Sequence, residues 1–247
     1  MAENLGFGVD IGGSGIKGGV VDMDTGELVG ERFKVPTPQP STPAACADAV
    51  REVIGHFDWT GPVGVTVPAV VTNGTVRSAA NIDAGWIGTD ADELFTSALN
   101  LPVTVLNDAD AAGLAEDRYG AGRDFDGVIL LLTLGTGIGS ALIHRGTLVP
   151  NTEFGHIEVE GKEAEHRAAS SVKDRRGWSY EKWAGQVSRV FREYEKLLWP
   201  DLIIVGGGIS RKADKWVPLL EVTTKVIPAK LLNTAGIVGA AMASQRD

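Results

Sequence analysis

Apolar and polar positions along the chain follow two periods, and one compound pattern occurs twice. Residues 5–10 are a short apolar run that reads as a strand, followed by a glycine turn at Gly12, Gly13, Ser14 and Gly15. Residues 16–22 form a second strand, 24–27 a tight turn and 28–35 a third strand, which together make a meander. The succession returns over residues 128–149: strand, a turn at Gly135, Thr136, Gly137, Ile138 and Gly139, strand, the turn "HRGT", strand. Gly26 corresponds to Gly146, and Gly15 to Gly137. Such self-similarity predicts two related domains with a cleft between them. The expected division is 1–108, joined by the C-terminal helix 235–247, against 109–234.

Between the copies, residues 36–40 are a proline-rich connection, and Thr42 with Pro43 opens a helix reaching to about Phe57. Residues 63–71 are a strand that Pro68 interrupts, so its end is a loop or an edge. Asn73-Gly74 marks a hairpin turn. Residues 81–88 have neither period and read as a loop. Residues 89–100 are a helix in which Asp90 and Glu93 have capping-box spacing. The β-branched run from Val103 passes through Asn107 and Asp108 into an alanine-rich helix. Past the second copy, residues 150–177 are polar, charged and rich in small residues, and predict no element. Residues 179–199 are a long helix with Trp183, Val187, Val190, Phe191, Tyr194 and Leu198 on one face. Lys182, Arg189, Arg192 and Lys196 gather on roughly the opposite side. Residues 202–205 are a buried strand, 206–210 open the next helix, and 235–244 are a small-residue helix able to approach a neighbour closely.

Composition narrows the class. The 247 residues suit one large or two modest domains, and 43% hydrophobic with 22% charged residues is ordinary for a globular chain with a packed core. A net charge of −9 argues against general binding to nucleic acid or to an anionic membrane. A single cysteine, Cys46, excludes an intramolecular disulfide and any multi-cysteine metal site, which fits a reducing compartment. No charged-then-apolar leader is present, and no apolar stretch approaches the ~18 residues that span a bilayer, so the expected location is the cytoplasm.

The candidate chemistry centres on Asp108. A carboxylate where a strand ends and a helix starts lies where open α/β sheets bind ligands. The competing reading is that Asn107 or Asp108 only caps the helix, worth ~1 kcal/mol. The glycine turns tip the balance towards phosphoryl transfer. Without a Cβ, their N–H groups can approach an anion, and Ser14 and Lys17 add donors. The alternative for each turn is a hairpin that needs positive φ. No G-x-x-x-x-G-K-[ST] loop occurs, nor the H-R-D and D-F-G signatures of protein kinases.

"DIGGSGIK", "LNDADAAGLAE", "LTLGTGIGSAL", "EFGHIE" and "LIIVGGGIS" stand in an order that resembles sugar kinases of the repressor–ORF–kinase (ROK) family, over nearly the whole chain. The resemblance implies an α/β fold of the actin-like (hexokinase, ribonuclease H-like) type. Within the family, "EFGHIEVEGKEAEHRAAS" and "LLWPDLIIVGGGIS" look like actinobacterial members that use inorganic polyphosphate, some also ATP, to phosphorylate glucose and sometimes mannose. By motif, Asp108 would be the general base for the sugar 6-hydroxyl, and Asn81, Asn107, Glu153, His156 and Glu165 would bind sugar hydroxyls. Asp10, Gly12, Gly13, Ser14, Gly15 and Lys17, with Gly135, Thr136 and Gly137, would hold donor phosphates. Gly207 and Gly208 match the nucleotide-side turn. The wider family's C-x-C-G-x-x-G-C zinc loop is absent, so no structural zinc is expected and Glu165 is the candidate for that loop's sugar-binding glutamate. Mg²⁺ is expected to arrive with the donor phosphates. The resemblance also implies a homodimer.

One feature of charge bears on the donor. From His166 to Lys196 there are eight Lys/Arg against four acids in a chain that is acidic overall. Such a run is usually a solvated face. The sharper reading is a groove for a long polyanion formed by Lys182, Arg189, Arg192 and Lys196. Two other functions stay open: an ATP-dependent kinase for another hexose or an N-acetylhexosamine, and a sugar-responsive ROK regulator. The latter would need a helix-turn-helix ahead of the first strand at Leu5. An actin-like filament protein would have no use for the E-F-G-H group.

Overall fold

β1 (Leu5–Gly12) and β2 (Gly15–Asp22) pair antiparallel, with Gly12 opposite Gly15, so the first glycine turn is a hairpin end. The computed structural model describes residues 4–80 and 82–245. β3 (Phe33–Val35) continues the meander antiparallel to β2, while β4 (Val63–Val67) and β5 (Val103–Asn107) add parallel strands on the other side. The order is β3-β2-β1-β4-β5. The second sheet is built from β6 (Val128–Leu134), β7 (Ile138–His144), β8 (Thr147–Val149), β9 (Leu202–Gly206) and β10 (Lys225–Pro228). Its order, β8-β7-β6-β9-β10, repeats the first strand for strand and direction for direction. The duplication read from the two glycine turns is therefore a duplication of topology, as an actin-like α/β fold requires.

The chain divides into two compact units, Met1–Ala115 with Thr234–Asp247, and Glu116–Asn233. The division falls inside α3 (Asp108–Arg118), whereas the sequence reading puts it at the start of that helix.

In the first unit, α1 (Pro43–Gly55) starts where the Thr42 hydroxyl accepts the Ala45 N–H, and it buries Cys46, Val50, Val53 and Ile54. α2 (Ala91–Leu99) begins with the Asp90 carboxylate accepting the Glu93 N–H at 3.0 Å and ends on Asn100 at φ +54. The third strand is shorter than the 28–35 expected. Leu28 makes one bridge to Val21, then Gly30 at φ +81 breaks the pleat and regular pairing resumes only at Phe33. α7 (Ala235–Ala243) lies directly on the sheet: a Cβ on Gly8 would stand 1.8 Å from the Ile237 carbonyl oxygen, and one on Gly64 1.8 Å from that of Ala240.

In the second unit, α6 (Tyr180–Leu198) buries Trp183, Val187, Val190, Phe191 and Tyr194 as its periodicity predicts, with Leu198 partly buried. The patternless stretch contains a two-strand ribbon (Glu158–Val159 with Lys162–Glu163) and two short helices, α4 (Ala164–Ala168) and α5 (Ser170–Arg175). Elements this short cannot display a 3.6-residue period. The helix expected to open at 206–210 is instead a 3₁₀ stretch, Gly208–Lys215, which starts after Gly207 at φ +79 and is kinked at Lys212. Among the described residues, no helix is long and apolar enough to cross a membrane.

Candidate active site

In the first unit, the strand-to-helix junction separates two duties the sequence left combined. The Asn107 side-chain oxygen accepts the N–H groups of Ala109 at 2.8 Å and Asp110 at 3.0 Å, and its amide donates to the Ala69 carbonyl at 3.1 Å. Asn107 is thus the helix cap, and it is buried. Asp108 is half-buried in the first turn, with one carboxylate oxygen 2.8 Å from the Ala109 N–H. Asn81, expected to contact sugar, lies outside the described residues.

Asp10 stands near the end of β1. Its two oxygens take the Lys17 ammonium at 2.9 Å and the Thr66 hydroxyl at 2.9 Å, and a Cβ on Gly236 would lie 2.7 Å from its Cγ. Lys17 therefore faces its own carboxylate and stays beside the turn. Gly12, Gly13 and Gly15 are not among the positive-φ glycines, so the hairpin they form does not need glycine for its backbone conformation. A Cβ on Gly15 would collide with the Lys34 side chain, but one on Gly13 would meet nothing within 4 Å. Neither backbone conformation nor crowding by the chain itself asks for glycine at 13. A cavity of about 290 Å³ opens there, lined among others by Ile11, Gly12, Gly13, Thr37, Pro68 and Asp83.

In the second unit, the matching turn behaves alike. Gly135 and Gly137 have negative φ, and a Cβ on Gly135 would meet nothing. A Cβ on Gly137, however, would sit 2.3 Å from Oε2 of Glu165, which also accepts the Ile138 N–H at 3.3 Å. Glu165 is thereby seated on the glycine turn. The loop carrying Glu153 and His156 is fixed from below. The buried Ser140 hydroxyl donates to the Thr152 carbonyl and accepts the Phe154 N–H, and the Tyr194 hydroxyl donates to the Phe154 carbonyl at 2.9 Å. Gly155 lets that loop touch β7, since a Cβ there would lie 2.1 Å from the Ile138 oxygen.

His156 has its Nε2 3.6 Å from Glu153 and its Nδ1 3.7 Å from Glu163, and His166 lies 3.2 Å from Glu163 and 3.8 Å from Glu165. The structure thus brings Glu153, His156 and Glu165 close to one another. It adds Glu163 and His166, to which the motif reading gives no role. The sequence reading likewise gives no role to Ser140 or Thr66, and places Tyr194 only on the apolar face of α6. His156, Glu163 and Glu165 each bring a ligand atom into a group within 4.8 Å. A mixed imidazole and carboxylate set of this kind suits polar hydroxyls or a divalent cation.

Burial pushes the Glu153 carboxyl above the usual range; the His156 ring opposes this and the Glu165 charge adds to it. A carboxyl whose pKa rises on folding adds stability at low pH and loses it as pH rises through the folded value. Glu153→Gln is therefore expected to raise Tm at pH 7, with the gap closing as pH falls to about 4. The side chain is 41% exposed, so screening keeps the gain below about 1 kcal/mol. A lower Tm at pH 7 in a pH series of thermal melts would contradict this account.

The four basic residues read as a groove are engaged differently from that expectation. Arg189 pairs with Glu160 at 3.1 Å, Arg192 with Glu221 at 2.7 Å and Lys196 with Glu193 at 2.7 Å, so acids from two other segments and from α6 itself neutralise the stripe. Lys182 lies apart from these pairs, 5.5 Å from the Trp178 ring. Gly207 has the positive φ that only glycine adopts freely, and a Cβ there would also crowd Leu134, whereas Gly208 is open.

The model of the ROK family matches residues 6–178. The chain belongs to the ROK family. A polyphosphate glucokinase of Mycobacterium tuberculosis is 65% identical over 246 residues, covering 99% of this chain and 93% of that protein. Among solved structures, the inorganic polyphosphate/ATP-glucomannokinase of Arthrobacter sp. strain KM superposes with a TM-score of 0.92 at 51% identity, covering 96% of this chain and 97% of that one. A ROK family glucokinase from Streptomyces griseus, in complex with glucose and AMPPNP, superposes with a TM-score of 0.85 at 26% identity, covering 99% and 100%.

Proposed function

We propose that this protein is a glucokinase that transfers a phosphoryl group from inorganic polyphosphate, and also from ATP, to the 6-hydroxyl of glucose, with mannose as a second acceptor. The observation that carries the reading is the division of labour at the start of α3: Asn107 caps the helix, and the carboxylate of Asp108 is assigned to the hydroxyl proton. Phosphoryl transfer asks for placement, neutralised phosphate charge and a group that receives the nucleophile's proton. Asp108 receives that proton. Glu153, His156 and Glu165 hold sugar hydroxyls, with Asn81 as a further contact, and Glu163 and His166 orient the imidazole and carboxylate among them. The backbone N–H groups at Gly12, Gly13 and Ser14, and at Gly135, Thr136 and Gly137, bind donor phosphates. Gly207 and Gly208 flank the nucleotide when ATP is used.

Kinases of this kind use a divalent cation, and Mg²⁺ fits the residues present. Asp10 offers a carboxylate, which has about four acceptor positions, beside the open glycine turn. When bound, the ion neutralises charge on the donor's phosphates. Lys17 holds Asp10 in place beside the turn.

Cys46 is buried and its thiol is pushed up to about 11, first by burial and then by the Asp83 charge, so it is an inert core residue. That agrees with a reducing cytoplasm as the place of action. A homodimer is the proposed assembly, to be measured by sedimentation velocity. The decisive experiment for the activity couples glucose 6-phosphate formation to a dehydrogenase, with Mg²⁺ and either long-chain polyphosphate or ATP. Product is expected with both donors, lost with chelator and restored by Mg²⁺. No product with either donor would overturn the proposal.

A further inference from the structure

The cations between Lys173 and Lys196 fall into two groups. Arg189, Arg192 and Lys196, further along α6, sit in ion pairs with acids, as described above. Those around α5 do not: among the described residues, Arg175, Arg176 and Lys182 make no ion pair, and Lys173 pairs only with its neighbour Asp174. Aromatic rings hold three of these four. Lys173 lies 4.5 Å from the centroid of Tyr180, Arg176 lies 5.3 Å from that of Trp178, and Lys182 lies 5.5 Å from the same ring. An ion pair cancels a charge, whereas a ring face positions a cation and leaves its charge whole.

The segment is also tied to the phosphate-binding turn. The Ser170 hydroxyl and the Ser171 N–H both donate to the Gly135 carbonyl, at 3.2 and 3.1 Å, and the Ser171 hydroxyl donates to the Thr136 carbonyl at 2.7 Å. Its far end is closed as firmly. Gly177, at φ +60, donates to the Asp174 carbonyl at 3.1 Å, and the Trp178 N–H donates to that of Lys173 at 3.0 Å, which is the paired bonding of a Schellman cap. α5 therefore runs from the glycine turn to a fixed basic and aromatic corner. At 1.5 Å per helical residue the two are only about 10 Å apart.

We infer that a long polyphosphate, its end phosphates held at Gly135 and Thr136, continues along α5 and is gripped by Lys173, Arg175, Arg176 and Lys182. This rests on the polyphosphate reading above and replaces the α6 stripe as the path of the chain. ATP carries three phosphates and ends in a nucleoside, so it gains little from cations beyond the turn. Every further unit of a polyphosphate repeats the same anion and can meet another cation, with counterion release as for nucleic-acid backbones.

The test compares wild type with Arg175→Gln/Arg176→Gln, with Lys182→Gln, and with Arg189→Gln/Arg192→Gln. It measures KM for long-chain polyphosphate, tripolyphosphate and ATP, together with binding of fluorescent long-chain polyphosphate over a salt series. The Arg175/Arg176 double variant is expected to raise KM for long-chain polyphosphate about tenfold and to make the log–log salt slope shallower by about 1–2. KM for tripolyphosphate and ATP should shift far less. Equal losses on all three donors, no loss on any, or a larger loss for the Arg189/Arg192 pair would each overturn the assignment. A wild-type enzyme that uses ATP but neither binds nor uses polyphosphate would instead overturn the donor reading beneath it.

Discussion

Asp108→Asn is expected to lower kcat for glucose phosphorylation by about 10²–10⁴-fold, the usual worth of a positioned general base. Glucose binding and fold stability should stay close to wild type. The substitution keeps shape and an acceptor oxygen for the Ala109 N–H, and the cap itself belongs to Asn107, which is untouched. What disappears is the capacity to take a proton. Calorimetric titration with glucose and a thermal melt would separate this from unfolding. A folded variant whose kcat stays within tenfold of wild type would reduce Asp108 to a helix-terminal residue. The complementary change, Asn107→Ala, should behave oppositely: it removes the side-chain acceptor of the Asp110 N–H and the donor to the Ala69 carbonyl, and leaves the Ala109 N–H to Asp108 alone, so the loss should appear first in stability.

Most of the fold could be read from the chain because its elements are long or bounded by strong turn chemistry. The two meanders announce themselves through paired glycine turns, and α6 through a clear apolar face whose members Trp183, Val187, Val190, Phe191 and Tyr194 are indeed buried. The stretch 150–177 stayed opaque for a physical reason. Its helices have five and six residues and its ribbon strands two, too few for either period to accumulate. Glu163 and His166 carry no role in the motif that names Glu153, His156 and Glu165, so only tertiary structure reveals that they join them. The basic stripe on α6 shows the converse limit. Helical spacing groups Arg189, Arg192 and Lys196, but the acids that answer the two arginines, Glu160 and Glu221, come from segments distant in sequence.

Gly64→Ala is expected to destabilise the protein by about 3 kcal/mol or more, a loss near 6–12 °C in Tm for a chain of this size. Gly8 and Gly64 are direct partners across the parallel pair β1–β4, and together they make the trough in which α7 lies. A Cβ on Gly64 would stand 1.8 Å from the Ala240 carbonyl oxygen and 2.3 Å from its carbon. Those are backbone atoms of a buried helix, so no side-chain rotation can relieve the overlap. The helix must lift from the sheet. The reverse face is equally close, because a Cβ on Gly239 would lie 1.9 Å from the Ala111 oxygen of α3. Small residues on α7 and glycines inside β1 and β4 are thus one device, and an isolated glycine within an apolar strand is its sequence mark. The device also reaches the site, since Gly236 at the start of α7 packs against Asp10. A variant that still folds at low temperature should therefore show a raised KM for both phosphate donors, with KM for glucose less affected. Urea denaturation showing less than 1 kcal/mol of lost stability would mean that the sheet yields more readily than this packing implies.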